Sequence, residues 1–304
     1  MPIPDFQSLM LPLLKHIEDG GEYTIVGTRD VLAKQFELTD EEINQKLPSG
    51  VANAFYNRLA WAKIYLERAG LISKVRHGVF KISPSGQSVL SKPPEKINIS
   101  YLEQFPEFAA FKNKTADTET SDPTPSKDQD TRINPEEALD LAYKTLRDDL
   151  ANQLLSQIKS SHPSFFEKLV VDLMLKMGFG DFNENAGIVT PYGGDGGIDG
   201  IVNQDQLGLD VIYLQAKRWE NTVGRPEIQK FVGALFGKKA KKGVFLTTSS
   251  FSAEARDYAS SIDAKIVLID GAKLAQLMID FGVGVSSSQT YIIKRIDHDY
   301  FESE

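Results

Sequence analysis

Apolar positions recur at three-to-four spacing in three stretches of the first hundred residues. "FQSLMLPLLKHI" (6–17) reads as an amphipathic helix. "GTRDVLAKQF" (27–36) reads as a short second helix, with Thr28 as its capping-type residue. "VANAFYNRLAWAKIYLERAG" (51–70) is the longest periodic run and stops at Gly70. The period then changes. "LISKV" and "VFKI" alternate around the turn "RHG", which predicts a β-hairpin with a basic tip. Three helices followed by a hairpin is the order of a winged helix-turn-helix, whose third helix enters a major groove while the wing touches phosphates. On that reading Arg58, Lys63, Arg68, Lys74, Arg76 and Lys81 are the candidate DNA contacts. Leu59, Trp61 and Tyr65 are core.

The pattern lapses over 111–135. This stretch is rich in Thr, Ser, Asp, Lys and Pro and nearly free of large apolar residues, which predicts a flexible linker. The chain therefore divides into 1–110, a linker, and 136–304.

The second part opens helix-rich. Pro163 marks a break, and "SFFEKLVVDLMLKMGFG" (164–180) starts a new helix with Ser164 near its N-cap. Apolar strands and helices then alternate: "IDGIV", "VIYLQAKRW", a helix opening on Pro226, "KGVFLTTS", "SAEARDYASSI", "KIVLIDG" and "AKLAQLMIDFGV". This order predicts an α/β domain with a mixed sheet covered on both faces.

Between the first of these helices and the strands lies "GGDGGIDG" (193–200), five glycines and two aspartates in eight residues. It lacks the Lys and hydroxyl of a P-loop. It precedes a strand, whereas a dinucleotide fingerprint sits between a strand and a helix. It also lacks the acid spacing of an EF-hand.

The strand after it says more. In "VIYLQAK", Tyr213, Gln215 and Lys217 share one face, and Leu214 and Ala216 the other. A Gln and a Lys on an apolar strand call for something polar nearby. If the two strands pair as a hairpin, Asp199 comes beside Gln215 and Lys217. A carboxylate, an amide carbonyl and an ammonium at one spot suit a hard divalent metal and a water nucleophile. Helix periodicity places Glu167 with Val170, Val171 and Met174, so it is predicted to point inward to the same spot.

Composition narrows the classes. Across 304 residues the net charge is −8, which leaves room only for a local basic patch. There is no cysteine, so disulfide scaffolds and thiolate zinc sites are excluded. The four histidines are scattered without zinc-ligand spacing. The N-terminus lacks a basic leader and no run is long enough to span a membrane, which predicts a cytoplasmic protein.

"GGDGGIDG", "LQAKRW", "VGRPEIQKFVGAL" and "GVFLTTSSFSAEA" together resemble the catalytic domain of Mrr-type restriction endonucleases, of the PD-(D/E)xK nuclease superfamily. "NRLAWAKIYLERAGL" resembles the amino-terminal domain of the same family. The resemblance covers nearly all of the second part and much of the first. It implies a modification-dependent (type IV) enzyme that cuts double-stranded DNA bearing methylated adenine or cytosine, with Mg²⁺. Asp199 matches the motif aspartate, Gln215 the variant glutamine, Lys217 the motif lysine and Glu167 the helix glutamate. Ile198 stands where the superfamily name has a proline.

On this reading Asp199, Gln215 and Glu167 hold the metal, and Gly193, Gly194, Gly196 and Gly197 let the DNA backbone approach. Asp195, Gln229 and Thr247 have ordinary structural explanations. Double-strand cutting by a chain with one site implies a homo-oligomer, a dimer or tetramer, held near the nucleoid by DNA binding. Two alternatives stand beside this: a DNA-binding module with a non-cutting nuclease-like domain, and a repair or branched-DNA nuclease.

Overall fold

The computed structural model describes residues 3–116, 132–180, 187–189, 197–205, 209–294, 296–297 and 300. Most of the expected linker, and Gly193, Gly194, Asp195 and Gly196, lie outside them. The chain forms two compact units, residues 1–145 with 295–304, and residues 146–294.

The first unit begins with α1 (Met10–His16), β1 (Tyr23–Thr24), α2 (Ile25–Gln35), α3 (Asp40–Asn44) and α4 (Ala54–Arg68). The hairpin β2 (Ile72–Arg76) and β3 (Val79–Ile82) follows, then α5 (Pro84–Ser91), α6 (Ile99–Leu102) and α7 (Pro106–Ala116). The hairpin turns through Gly78 at φ 70°, a left-handed conformation that favours glycine. β1 adds to its free side, giving the order β1-β3-β2. Thr28 does not cap α2. Thr24 does, its hydroxyl accepting from the Gly27 N–H, and Thr28 lies fully buried inside the helix. The core is built from α1, α4 and the hairpin, through Leu9, Leu13, Phe55, Leu59, Leu66 and Phe80.

α8 (Pro135–Ser160) opens in the first unit and ends in the second. The second unit continues with α9 (Pro163–Lys176), β4 (Gly187–Val189), β5 (Gly200–Asn203), β6 (Val211–Lys217), α10 (Arg225–Gly237), β7 (Lys242–Thr247), α11 (Ala253–Ser261), β8 (Lys265–Ile269) and α12 (Gly271–Asp280). The residue that caps α9 is His162, two positions before Ser164, because Pro163 occupies the first turn.

The sheet has the order β4-β5-β6-β7-β8. β4, β5 and β6 pair antiparallel, while β6, β7 and β8 pair parallel. This is the expected mixed sheet. Helix connections over "GRPEIQKFVGALFG" and "AEARDYASS" make the parallel pairs possible, since a parallel pair needs a long crossover. Ile212, Leu214, Ala216, Val244 and Leu246 pack against α9 and α12. Tyr213 and Phe245 pack against α10 and α11. The alternation along β6 thus feeds two separate apolar clusters, one on each face.

Candidate active site and nucleic-acid interface

β5 and β6 pair antiparallel, with Gly200 opposite Leu214. Asp199 directly precedes β5 and extends this pairing. Its N–H donates to the Leu214 carbonyl at 2.8 Å, and its Oδ2 accepts from the Ala216 N–H at 2.8 Å. The carboxylate is therefore held against the end of the strand that carries Gln215 and Lys217. Gln215 is only 4% exposed, and its amide has no hydrogen-bond partner among the described residues. Gly197, at φ 98°, passes close by. A Cβ there would lie 3.1 Å from Gln215 Nε2.

Lys217 ends β6. Its ammonium makes no ion pair among the described residues, whereas its backbone is tightly held. Its carbonyl accepts from the buried Thr247 hydroxyl at 2.8 Å, from the Trp219 N–H at 3.0 Å and from the Thr248 N–H at 3.3 Å. Glu167 is half-buried on α9. Burial raises its carboxyl above the usual range, and the Asp199 charge adds to the rise; Lys217 and His162 oppose it. Glu167, Asp199 and Lys217 therefore share one electrostatic neighbourhood. Gln229 lies exposed on α10.

A hard divalent cation fits this donor set. The carboxylates of Asp199 and Glu167 and the carbonyl of Gln215 are all oxygen donors. The Gln215 side chain is not among the buried unsatisfied polar groups of the described residues, so its carbonyl is available as a donor without a stored penalty. No group of three or more His, Asp or Glu placed for metal binding exists among the described residues. Magnesium is commonly held by one or two carboxylates together with substrate phosphates, which is the number present here.

The sequence reading missed Arg218. Its Nη1 donates to the carbonyls of Lys159 at 2.5 Å and Ser161 at 2.6 Å. It thereby ties the end of β6 to the turn before α9, so the strand carrying Lys217 and the helix carrying Glu167 are linked through one guanidinium. A charge after an apolar strand usually reads as solvated, and the sequence held no signal of this tie.

In the first unit the basic residues divide. Arg58 is engaged internally, with Nε to Glu137 at 2.6 Å and Nη1 to the Ile3 carbonyl at 2.7 Å. Beside it, buried Asn57 donates to Glu136 and accepts from Asn134 at 2.8 Å. Asn134 also caps the first turn of α8, accepting from the Glu136 and Glu137 N–H groups at 3.1 Å each. Lys63 pairs with Glu67 one turn on, and Arg68 lies 4.1 Å from the Phe111 ring centre. On the hairpin, Arg76 pairs with Glu22 at 2.9 Å. Lys74 and Lys81 are exposed and have no ion-pair partner among the described residues.

Residues 158–278 match the family model described as restriction endonuclease, and residues 6–92 match that of the Mrr N-terminal domain. The chain is 36% identical over 314 residues to the type IV methyl-directed restriction enzyme EcoKMrr of Escherichia coli (strain K12), covering 99% of this chain and 100% of that one. Among solved structures it is similar to the MspJI restriction endonuclease in complex with a 27-mer oligonucleotide. That match has TM-score 0.31 and 20% identity, over 52% of this chain and 35% of that chain. It is also similar to the DNA modification-dependent restriction endonuclease AspBHI, with TM-score 0.38 and 16% identity, over 70% of this chain and 57% of that one. The two family matches fall in the same order as the two sequence resemblances, and the relative in Escherichia coli is aligned from end to end: the chain belongs to the Mrr family of restriction endonucleases.

Proposed function

We propose that this protein is a modification-dependent endonuclease that binds double-stranded DNA carrying methylated adenine or cytosine and hydrolyses its phosphodiester bonds with Mg²⁺. The observation that supports the chemistry is the Asp199 carboxylate bonded to the Ala216 N–H, between Gln215 and Lys217, with Glu167 within reach of the Asp199 and Lys217 charges. The preference for methylated DNA rests on the methyl-directed relative.

Asp199, Gln215 and Glu167 would hold the cation. When bound, it supplies Lewis-acid stabilisation of the charge that builds on the phosphoryl oxygens. Asp199, fixed by two backbone bonds across β6, keeps its carboxylate in place before substrate arrives. The Lys217 ammonium donates to a phosphoryl oxygen and orients the attacking water. The water oxygen bonds to phosphorus as the water gives up a proton to solvent, the bond from phosphorus to the 3′ oxygen breaks, and that oxygen takes up a proton from solvent, so the products are a 5′-phosphate and a 3′-hydroxyl. Gln215 brings an oxygen without a negative charge, so the site binds its cation less tightly than one with a third carboxylate would.

In the first unit we read the hairpin as a wing, with Lys74 and Lys81 on phosphates. Two chains act together to cut both strands, in the cytoplasm where chromosomal DNA lies.

The test is incubation of purified protein with methylated and unmethylated plasmid, with and without Mg²⁺, beside Lys217→Ala. Linearisation that needs methylation, Mg²⁺ and Lys217 is the expected result. Cutting by Lys217→Ala at the wild-type rate would overturn the site.

A further inference from the structure

Trp219 stands two positions beyond Lys217 and is 38% exposed. Its indole belongs to neither apolar cluster of its unit and has no ring partner among the described residues. With more than a third of its surface in solvent, the indole forgoes part of the burial that such a side chain usually gains. A mobile loop could fold it away, but this one is fixed on both sides.

The Trp219 N–H donates to the Lys217 carbonyl at 3.0 Å, and its own carbonyl accepts from the Thr248 hydroxyl at 2.8 Å. The next carbonyl, of Glu220, accepts from the Ser249 hydroxyl at 3.0 Å, and the Val223 N–H reaches the Ser250 carbonyl at 2.8 Å. On the other side Arg218 is bonded to the Lys159 and Ser161 carbonyls. The ring is thus presented to solvent by a backbone with little freedom to withdraw it.

The surroundings suit a nucleotide. Lys217 comes two residues before the tryptophan and Thr222 three residues after it, with the Thr222 hydroxyl 3.1 Å from that of Ser250. An aromatic face among cations and hydroxyls is the composition that binds a nucleic-acid strand, with the ring taking a base or sugar and the polar groups taking phosphates. The spacing fits a nucleic-acid strand. Two residues span at most about 7 Å, and successive nucleotides on one strand rise about 3.4 Å. A phosphate held at Lys217 therefore brings the neighbouring nucleotide within the indole's range.

We propose that Trp219 is a substrate-positioning residue: its indole packs against the nucleotide next to the scissile phosphate and holds the strand in register for attack. This rests on the reading of the site as a DNA hydrolase.

The chain contains only two tryptophans, Trp61 and Trp219, so emission can be assigned. Full-length protein carrying Asp199→Ala, to silence hydrolysis, is titrated with a methylated duplex in Mg²⁺. The same is done with the Trp219→Phe and Trp219→Ala versions of that protein. Binding is followed separately by anisotropy of labelled DNA. Saturation should change the emission of the parent and leave that of Trp219→Phe unchanged. Trp219→Ala should bind roughly tenfold more weakly, and Trp219→Phe, which keeps a ring at an exposed position, about as well as the parent. An emission change that persists in Trp219→Phe would come from Trp61 and would overturn the proposal, as would unaltered affinity in Trp219→Ala. DNA binding without any Trp219 signal removes this contact and leaves the nuclease reading intact. No DNA binding by the parent removes both.

Discussion

Gly197 runs so close to Gln215 that a side chain at the glycine would press on the amide. A Cβ built there would lie 3.1 Å from Nε2, and the glycine sits at φ 98°. Two separate constraints therefore meet at one residue, a backbone conformation that disfavours side chains and a contact with a candidate metal ligand. Gly197→Ala should lower cleavage by about a hundredfold, in line with the cost of displacing a reacting group by an ångström. Far-UV circular dichroism should show the fold retained. Wild-type rates in Gly197→Ala would mean that Gln215 need not be held in this position.

Arg58 gives a prediction of a different kind. Its guanidinium is committed to Glu137 and the Ile3 carbonyl, and Glu137 is 6% exposed. Removing Arg58 leaves the Glu137 carboxylate buried with the Asn134 N–H at 3.4 Å as its remaining donor. Arg58→Ala should therefore destabilise the first unit by about 3 kcal/mol, read from denaturant unfolding of the whole protein. The salt dependence of DNA binding should not change. A stable Arg58→Ala protein with a shallower salt slope would instead make Arg58 a phosphate contact.

The two free lysines of the hairpin should behave in the opposite way. Lys74→Ala and Lys81→Ala should each leave stability near wild type and reduce the slope of log affinity against log salt by about 1. An unchanged slope in both variants would move the interface off the hairpin.

Glu167 carries a pH prediction. Its carboxyl is raised by burial and by the Asp199 charge, against the opposing effect of Lys217 and His162. A raised carboxyl favours the folded state below the usual carboxylate range, and that contribution disappears as pH climbs through the raised value. In EDTA, Glu167→Gln should be more stable than wild type at neutral pH, and the gap should close on acidification. Parallel melting curves at every pH would place Glu167 away from Asp199.

How much of this was legible in the sequence depended on distance along the chain. The alternation in "VIYLQAK" gave both faces of β6 and set Gln215 and Lys217 together, because strand period is local. Pro226 marked the start of α10 for the same reason. Helix ends were harder. Thr24 caps α2 and Thr28 is buried within it, since either threonine has the right chemistry and only packing decides. The helices after the hairpin, α5 to α7, were missed because they are short or weakly periodic. Arg58 reads from the sequence as a candidate DNA contact, and its internal partner Glu137 lies 79 positions on, beyond any local pattern. Arg218 likewise depends on a turn 57 to 59 positions earlier.

β6 is the middle strand of its sheet and has apolar packing on both faces, whereas β4 and β8 are edges. Deuterium uptake along β6 should therefore wait for cooperative opening of the whole second unit, while the edges exchange by local fraying. A heated sample should lose cleavage along the same curve on which this unit melts. A hydrolytic centre built into the slowest-opening strand stays intact while surrounding loops vary, and such loops are where a change of DNA preference can arise without disturbing the cut.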